Sequence, residues 1–214
     1  MFESFFKAFP REGEHSAPID AASLADRVQA ELGCPVPEEL KKFWEVSGSG
    51  YFGDRVLYFF GEAGKDSPRD SLLDWNKKDF WRSVYPSPKD GGPIFFAETC
   101  FGDQLGFRRE KGGKLIYVLF SVDTFDAFSV ARGEGRLFSE VLNNQYALLD
   151  EPRYDAVRSA LGLLPAGMHY APILSPMLGG SGSADNFGTE TPNVHFRTAI
   201  ATFLAKRVAP SASN

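Results

Sequence analysis

The 214-residue chain holds only two cysteines, Cys34 and Cys100. One possible bridge cannot staple a protein of this size, so the pair reads as unpaired thiols in a reducing compartment. Histidine is equally sparse. His15, His169 and His195 stand singly, without an H-E-x-x-H pattern or zinc-type spacing to the cysteines. Each therefore reads as a structural residue, and neither a metal nor another cofactor is expected. No stretch approaches the roughly 18 consecutive apolar residues of a membrane span. The opening Met1-Phe2-Glu3-Ser4-Phe5-Phe6-Lys7 places an acid where a secretory signal carries basic residues, so a cytoplasmic location is expected. A basic excess is missing too: Lys and Arg number 23 against 28 Asp and Glu, for a formal net charge of −5. The longest basic run, Arg108, Arg109, Lys111 and Lys114, is broken by Glu110 and Gly112-Gly113 as in a hairpin turn. Nucleic acid is set aside as a partner, and a basic protein suits the charge better.

Aromatic residues are plentiful: Phe 20, Tyr 7 and Trp 3. They suffice for a large core, with some left over for a partner. Residues 1–19, punctuated by Pro10, Gly13 and Pro18, read as a loosely ordered lead-in. Asp20 then opens a helix that carries Leu24, Val28 and Leu32 and closes at Gly33. Pro37-Glu38-Glu39 starts a second helix, with Leu40, Phe43 and Trp44 as its stripe and Gly48 at its end. Val56–Phe60 reads as a strand and Ser67–Trp81 as a helix. Ile94–Ala97, Gln104–Arg108, Leu115–Phe120 and Phe125–Ala131 form a meander of antiparallel strands separated by turn residues. Helices return at Leu137–Leu149, at Glu151–Leu161 and after Thr191-Pro192. The pattern predicts an α+β fold, a central antiparallel sheet flanked by N-terminal and C-terminal helices. It occupies one domain over residues 20–208, with a C-terminal helical extension and a disordered tail at 209–214.

Gly48-Ser49-Gly50-Tyr51-Phe52-Gly53 spells G-x-G-x-x-G, but a helix precedes it and a strand follows. That is the reverse of the dinucleotide-binding order, and it leaves a glycine-rich turn. Gly179-Gly180-Ser181-Gly182-Ser183 lacks the lysine of a phosphate loop and the register of a nucleophile elbow, and reads as a mobile surface loop. Asp103, Asp123 and Asp126 lie in turns, and Asp54 follows the ring pair Tyr51-Phe52. Turn acids are normally solvated, so these residues are expected to form an acidic rim around exposed rings. An enzyme would instead require His169, His195 or Cys100 to converge in one pocket.

Leu32-Gly33-Cys34-Pro35-Val36-Pro37-Glu38-Glu39-Leu40-Lys41-Lys42-Phe43-Trp44, followed by Ser47-Gly48-Ser49-Gly50, resembles the opening of the SUKH superfamily. Phe101-Gly102-Asp103-Gln104-Leu105-Gly106-Phe107 is similar to its Gly-Asp turn between strands. Ser47-Gly48-Ser49-Gly50 replaces the usual Asn-Gly, Glu98-Thr99-Cys100 stands where an aspartate often precedes the turn, and residues 63–93 are a polar insertion. Farther on, Tyr170-Ala171-Pro172-Ile173-Leu174, Leu178-Gly179-Gly180 and Asn193-Val194-His195 resemble the terminal segment of type VI secretion DNase-immunity proteins. The resemblance implies a non-enzymatic bacterial immunity-type protein that neutralises a secreted toxin, possibly a nuclease, by stoichiometric binding. The alternative it leaves open is a regulatory or scaffold module without a dedicated toxin. Under the first reading Tyr51, Phe52, Asp54, Asp103, Asp123 and Asp126 are the expected contacts with a basic toxin surface.

Overall fold

Asp20 starts the first long helix because its side chain accepts a hydrogen bond from Ser23 N at 3.0 Å. We describe the protein from a computed structural model, over residues 2–13, 17–62, 69–85, 92–142 and 148–208. This helix is α2 (Ala21–Leu32), preceded by α1 (Glu3–Ala8) and followed by α3 (Glu38–Ser47). Gly33 ends α2 in the left-handed conformation expected of a C-terminal cap, at φ 75°. The chain then forms β1 (Gly50–Phe52), β2 (Leu57–Phe59), the single turn α4 (Leu72–Trp75), β3 (Ile94–Thr99), β4 (Gln104–Arg109), β5 (Leu115–Phe120) and β6 (Ala127–Arg132). A π-turn at Leu137–Val141 leads to α5 (Glu151–Leu161), β7 (His169–Pro172), β8 (Phe187–Glu190) and α6 (Pro192–Val208).

The strands β1 to β6 pair antiparallel in chain order as one six-stranded sheet, and β7 and β8 make a separate hairpin. Along the strands, alternate rings point to opposite faces, as a two-residue repeat requires. Phe52 and Phe59 meet Phe43 of α3 on one face. On the other face Phe60 stacks on Trp75, and Phe120 stacks on Phe196 of α6. The sheet is thus covered on both sides, which is the α+β architecture predicted from the order of elements.

Several expectations are corrected. The lead-in is not loose: Phe5 is 1% exposed and its ring lies 5.3 Å from Phe43 and 5.4 Å from Phe52. Pro10 follows α1 instead of preventing it, and Arg11 and Ala17 bridge to Phe52 and Ser49, shielding the edge of β1. Within the polar insertion the long helix shrinks to α4. Asn76 ends it by turning its side chain onto β3, donating to Phe95 O and accepting from Phe95 N, both at 2.8 Å. The glycine-rich turn after α3 contains β1, and the stretch after Gly162 contains the β7–β8 hairpin; strands this short leave little periodicity in sequence. The Gly179–Ser183 loop is fastened by Asn186, whose amide donates to Leu174 O at 2.9 Å and Ser181 O at 2.8 Å. The tail at 209–214 and part of the helix predicted for Leu137–Leu149 lie outside the described residues.

Truncating Phe5 to Ala is expected to cost about 3–5 kcal/mol in a urea unfolding titration, the usual cost of removing a core ring. A loss below about 1 kcal/mol would show that the first helix is not part of the core.

Candidate functional site

The turn between β3 and β4 is closed by Gly102 N donating to Thr99 O at 2.9 Å and by Thr99 N donating to Asp103 O at 2.8 Å. Gly102 sits at φ +85°, and a Cβ there would lie 2.8 Å from His169 Nδ1 and 3.0 Å from His195 Nδ1. Only glycine satisfies both the backbone and the approach of the two rings. His169 comes from β7 and His195 from the first turn of α6, so this turn brings both C-terminal elements onto the sheet.

The imidazoles face each other with their Nδ1 atoms 3.3 Å apart. His169 Nε2 lies 2.9 Å from Glu98 Oε1 on β3, and Glu98 forms a buried ion pair with Arg69. The pairing fixes the tautomers. Against the Glu98 carboxylate His169 donates through Nε2, so its Nδ1 accepts the proton of His195 Nδ1. His195 Nε2 is left facing Asp123 Oδ1 at 3.7 Å. Gln104 completes the network: its amide donates to Glu98 Oε2 at 3.0 Å and Gly102 O at 2.8 Å, and it accepts from Trp75 Nε1 at 2.8 Å. Burial and the nearby Arg69 guanidinium hold the His169 imidazole well below its ordinary 6.5.

A second clasp lies beside the first. Arg153 of α5 donates to Asp123 Oδ2 at 3.1 Å, and its guanidinium lies 4.2 Å from the Phe101 ring centre and 4.7 Å from that of Phe187. Tyr170 N donates to Cys100 O at 2.9 Å, fastening β7 to the same turn by its backbone. Asp103 accepts from Val122 N at 3.1 Å. Burial, with the Asp123 charge next to it, pushes the Asp103 carboxyl up to about 6. Burial also raises the Cys100 thiol, which disfavours the thiolate a nucleophile needs.

These positions change the reading of the predicted contact residues. Tyr51 and Phe52 are 2% and 0% exposed, so they are core residues and not exposed rings; Tyr51 Oη accepts from Gly167 N at 2.6 Å. Asp103 and Asp123 belong to the inner network, because Val122 N and Arg153 draw their carboxylates inward. Asp54 and Asp126 are exposed as expected, with Asp54 paired to Arg158 at 2.8 Å. The structure therefore gathers Asp103 and Asp123 and leaves the other predicted residues apart. His169 and His195 do converge, as an enzyme would require, but they are 1% and 6% exposed and spend ring nitrogens on each other and on Glu98. Glu98, Arg69 and Gln104 were missed as members of this cluster. The available signal was Glu98 itself, a charge directly following the apolar run Ile94–Ala97 that has to find a partner. Elsewhere, a cavity of about 410 Å³ between α1, α3 and Phe138 is lined by Glu39, whose carboxylate is already taken by Tyr117 Oη at 2.5 Å and Leu137 N at 3.2 Å.

Gly102→Ala is expected to cost about 2–4 kcal/mol, from left-handed backbone strain and the clash with two rings. In a His195→Ala background the same change should cost about 1 kcal/mol less, read from a double-mutant cycle in urea. An additive cycle would refute the contact. Acid dependence is a second outcome. His169 is held neutral when folded, so the unfolded chain binds more protons below 6.5 and stability falls as pH drops through that value. Asp103 acts oppositely: between 3.8 and about 6 the folded state holds the extra proton, and falling pH adds stability. Urea midpoints should fall less steeply with acidification in His169→Asn and more steeply in Asp103→Asn. Unchanged slopes would exclude both assignments.

The SMI1/KNR4 family (SUKH-1) matches residues 18–140. That stretch runs from the start of α2 through the sheet, including the Gly-Asp turn, and ends within the π-turn. The crystal structure of Atu4351 from Agrobacterium tumefaciens is similar, with a TM-score of 0.61 and 15% identity over 94% of this chain and 88% of that one. At that identity the likeness is one of fold, and it extends over the C-terminal elements as well. No curated protein matches the chain in sequence. With more than half of its residues matched, including both helices and the complete sheet, the chain belongs to the SMI1/KNR4 family (SUKH-1).

Proposed function

We propose that the protein is an immunity-type member of its family that neutralises a cognate secreted toxin by one-to-one binding. The observation that carries this reading is membership of SUKH-1, since proteins of that family are typically immunity proteins for polymorphic toxins. The chemistry of the site supports binding over catalysis. The two histidines act as struts between the sheet and the C-terminal hairpin, and the buried thiol is held in its neutral form. The net charge of −5 supports a basic toxin surface, because complementary charge speeds encounter and selects partners. A nuclease, whose substrate cleft is basic, suits that charge. The segments Leu178-Gly179-Gly180 and Val194-His195, which resemble type VI secretion DNase-immunity proteins in sequence, lie beyond the matched residues 18–140, so the nuclease part of the reading rests on charge alone.

Within this reading the exposed acids Asp54 and Asp126 take over the contact role first given to a larger rim. Asp103, Asp123, Tyr51 and Phe52 act one step behind, by holding the surface in shape. Capture of partners from the native host, followed by co-expression with the captured protein, tests the proposal directly. One dominant partner that is toxic alone and harmless when co-expressed is the expected result. Several partners with no toxicity would favour the scaffold reading instead. Replacing Asp54 and Asp126 with Lys is expected to slow association with the toxin by roughly tenfold and to weaken its salt dependence. The thermal midpoint should stay within a few degrees of wild type, and an unchanged association rate would remove these acids from the interface.

A further inference from the structure

Three carboxylate side chains among the described residues are buried: Glu39, Glu98 and Asp123. Glu98 pairs with Arg69, and Asp123 pairs with Arg153 at 3.1 Å. Glu39, at 7% exposure, has no cation at ion-pairing distance among the described residues. Buried charge persists only where something compensates it, so a missing cation is informative. Two partial compensations are present. Glu39 is the second residue of α3, where the helix dipole favours an anion. It also accepts from Tyr117 Oη and Leu137 N, but both bonds fall on Oε1, so the carboxylate is taken on one side only. Burial and this bond raise the Tyr117 hydroxyl, which stays protonated and keeps donating. Oε2 takes no partner among the described residues. Nor is it one of the unpaired atoms sealed inside the protein, so it opens on the cavity that Glu39 lines.

That cavity has a floor and a rim of different chemistry. Phe5 and Phe138, 1% and 8% exposed, form the floor beside Glu39, with their rings edge to face at 5.6 Å. The rim is exposed and carries Glu38, Lys42 and Glu134. Its two acids are already matched, Glu38 by Lys41 at 2.5 Å and Glu134 by Arg109 at 2.7 Å, so Glu39 is what selects a ligand. Lys42 lies three residues beyond Glu39 and forms no ion pair with it, and its charge opposes a cation at the mouth. A volume of about 410 Å³ admits one side chain with some water. Rings beside one open carboxylate oxygen suit a planar, weakly hydrated cation better than a compact ammonium. A guanidinium stacks on a ring while donating to the carboxylate, and Ser4 and Ser139 offer hydroxyl oxygens to its outer N–H groups.

We propose that this cavity receives an arginine side chain of a partner protein, with the guanidinium on Oε2 of Glu39. The inference rests on the proposed function for the identity of the partner, a basic toxin, and on the cavity alone for its chemistry.

Titration of N-acetyl-arginine methylamide into the full chain, followed by the NMR signals of Phe5 and Phe138, tests the cavity by itself. Saturable binding in the millimolar range is expected, as for one side chain without its protein. The citrulline analogue keeps the shape, loses the charge and should bind roughly tenfold more weakly. Glu39→Gln should weaken the arginine probe by roughly tenfold or more, and Lys42→Ala should tighten it about two- to threefold. Should Glu39→Gln fold poorly, Ser139→Trp closes the mouth from an exposed position and should block the probe. No saturable binding, equal binding of the citrulline analogue, or indifference to both Glu39→Gln and Ser139→Trp overturns the proposal. The second arm uses the protein captured from the host. Glu39→Gln and Ser139→Trp should each lower its affinity by roughly tenfold or more. A partner indifferent to both overturns the proposal and leaves the cavity to a free guanidinium compound. If the captured partners are harmless but both variants release them, the cavity assignment stands and the toxin reading alone fails.

Discussion

The close approach of Gly102 to the facing imidazoles of His169 and His195 is the contact on which the arrangement of the C-terminal third depends. It joins three parts of the chain that are far apart in sequence: the β3–β4 turn, the β7–β8 hairpin and the start of α6. Behind it the Glu98–Arg69 ion pair lies fully inside the protein. Buried charge is costly to desolvate, and such a pair contributes more to uniqueness than to net stability. Its orientation is fixed because Glu98 also accepts from Gln104 and His169, leaving few alternative ways to dock the hairpin. A hydrophobic contact alone would tolerate sliding, but a hydrogen-bonded imidazole pair does not.

The aromatic residues supply the complementary, non-directional part of the fold. Phe2, Phe5, Phe43, Phe52, Phe59 and Phe138 form one cluster under α1 and α3. Trp75, Trp81, Phe95, Phe120 and Phe196 form another under α4 and α6. Edge-to-face and offset contacts dominate both, as ring quadrupoles favour. The sheet between them therefore has no solvent-facing side along its central strands, and recognition has to use the outer surfaces of helices, hairpin and turns. Polarity in the C-terminal third is inverted: the acids and histidines of the network point inward, and Ile173, Val194 and Val208 point outward.

The outline of the fold was legible because it rests on local signals. Asp20 and Gly33 bracket α2 by capping chemistry, Pro37 and the following acids open α3, and the β-rich runs separated by Gly-Asp and Gly-Gly turns give the order of the meander. Tyr51 and Phe52 show the limit. Their place in a glycine-rich loop suggested exposure, but their alternation across β1 sends one ring to each covered face of the sheet. Asp103 and Asp123 were misplaced for a related reason. A turn acid is solvated unless something packs over it, and here Arg153, from a helix thirty positions beyond Asp123, does so.

The sequence by itself determined the class of fold, the course of the central sheet and the family, because capping, periodicity and the Gly-Asp turn act over a few neighbouring residues. It also supplied the acidic balance on which the choice of a protein partner rests. Only the tertiary structure decided which polar residues are inside. Glu98, Arg69, His169 and His195 are separated by long stretches of chain, and whether each is solvated or paired depends on how the hairpin and α6 close over the Gly102 turn. The same closure decided that one face of α6 would be buried and the other left bare, since a helix with apolar residues all round carries no local signal of which side the domain will cover.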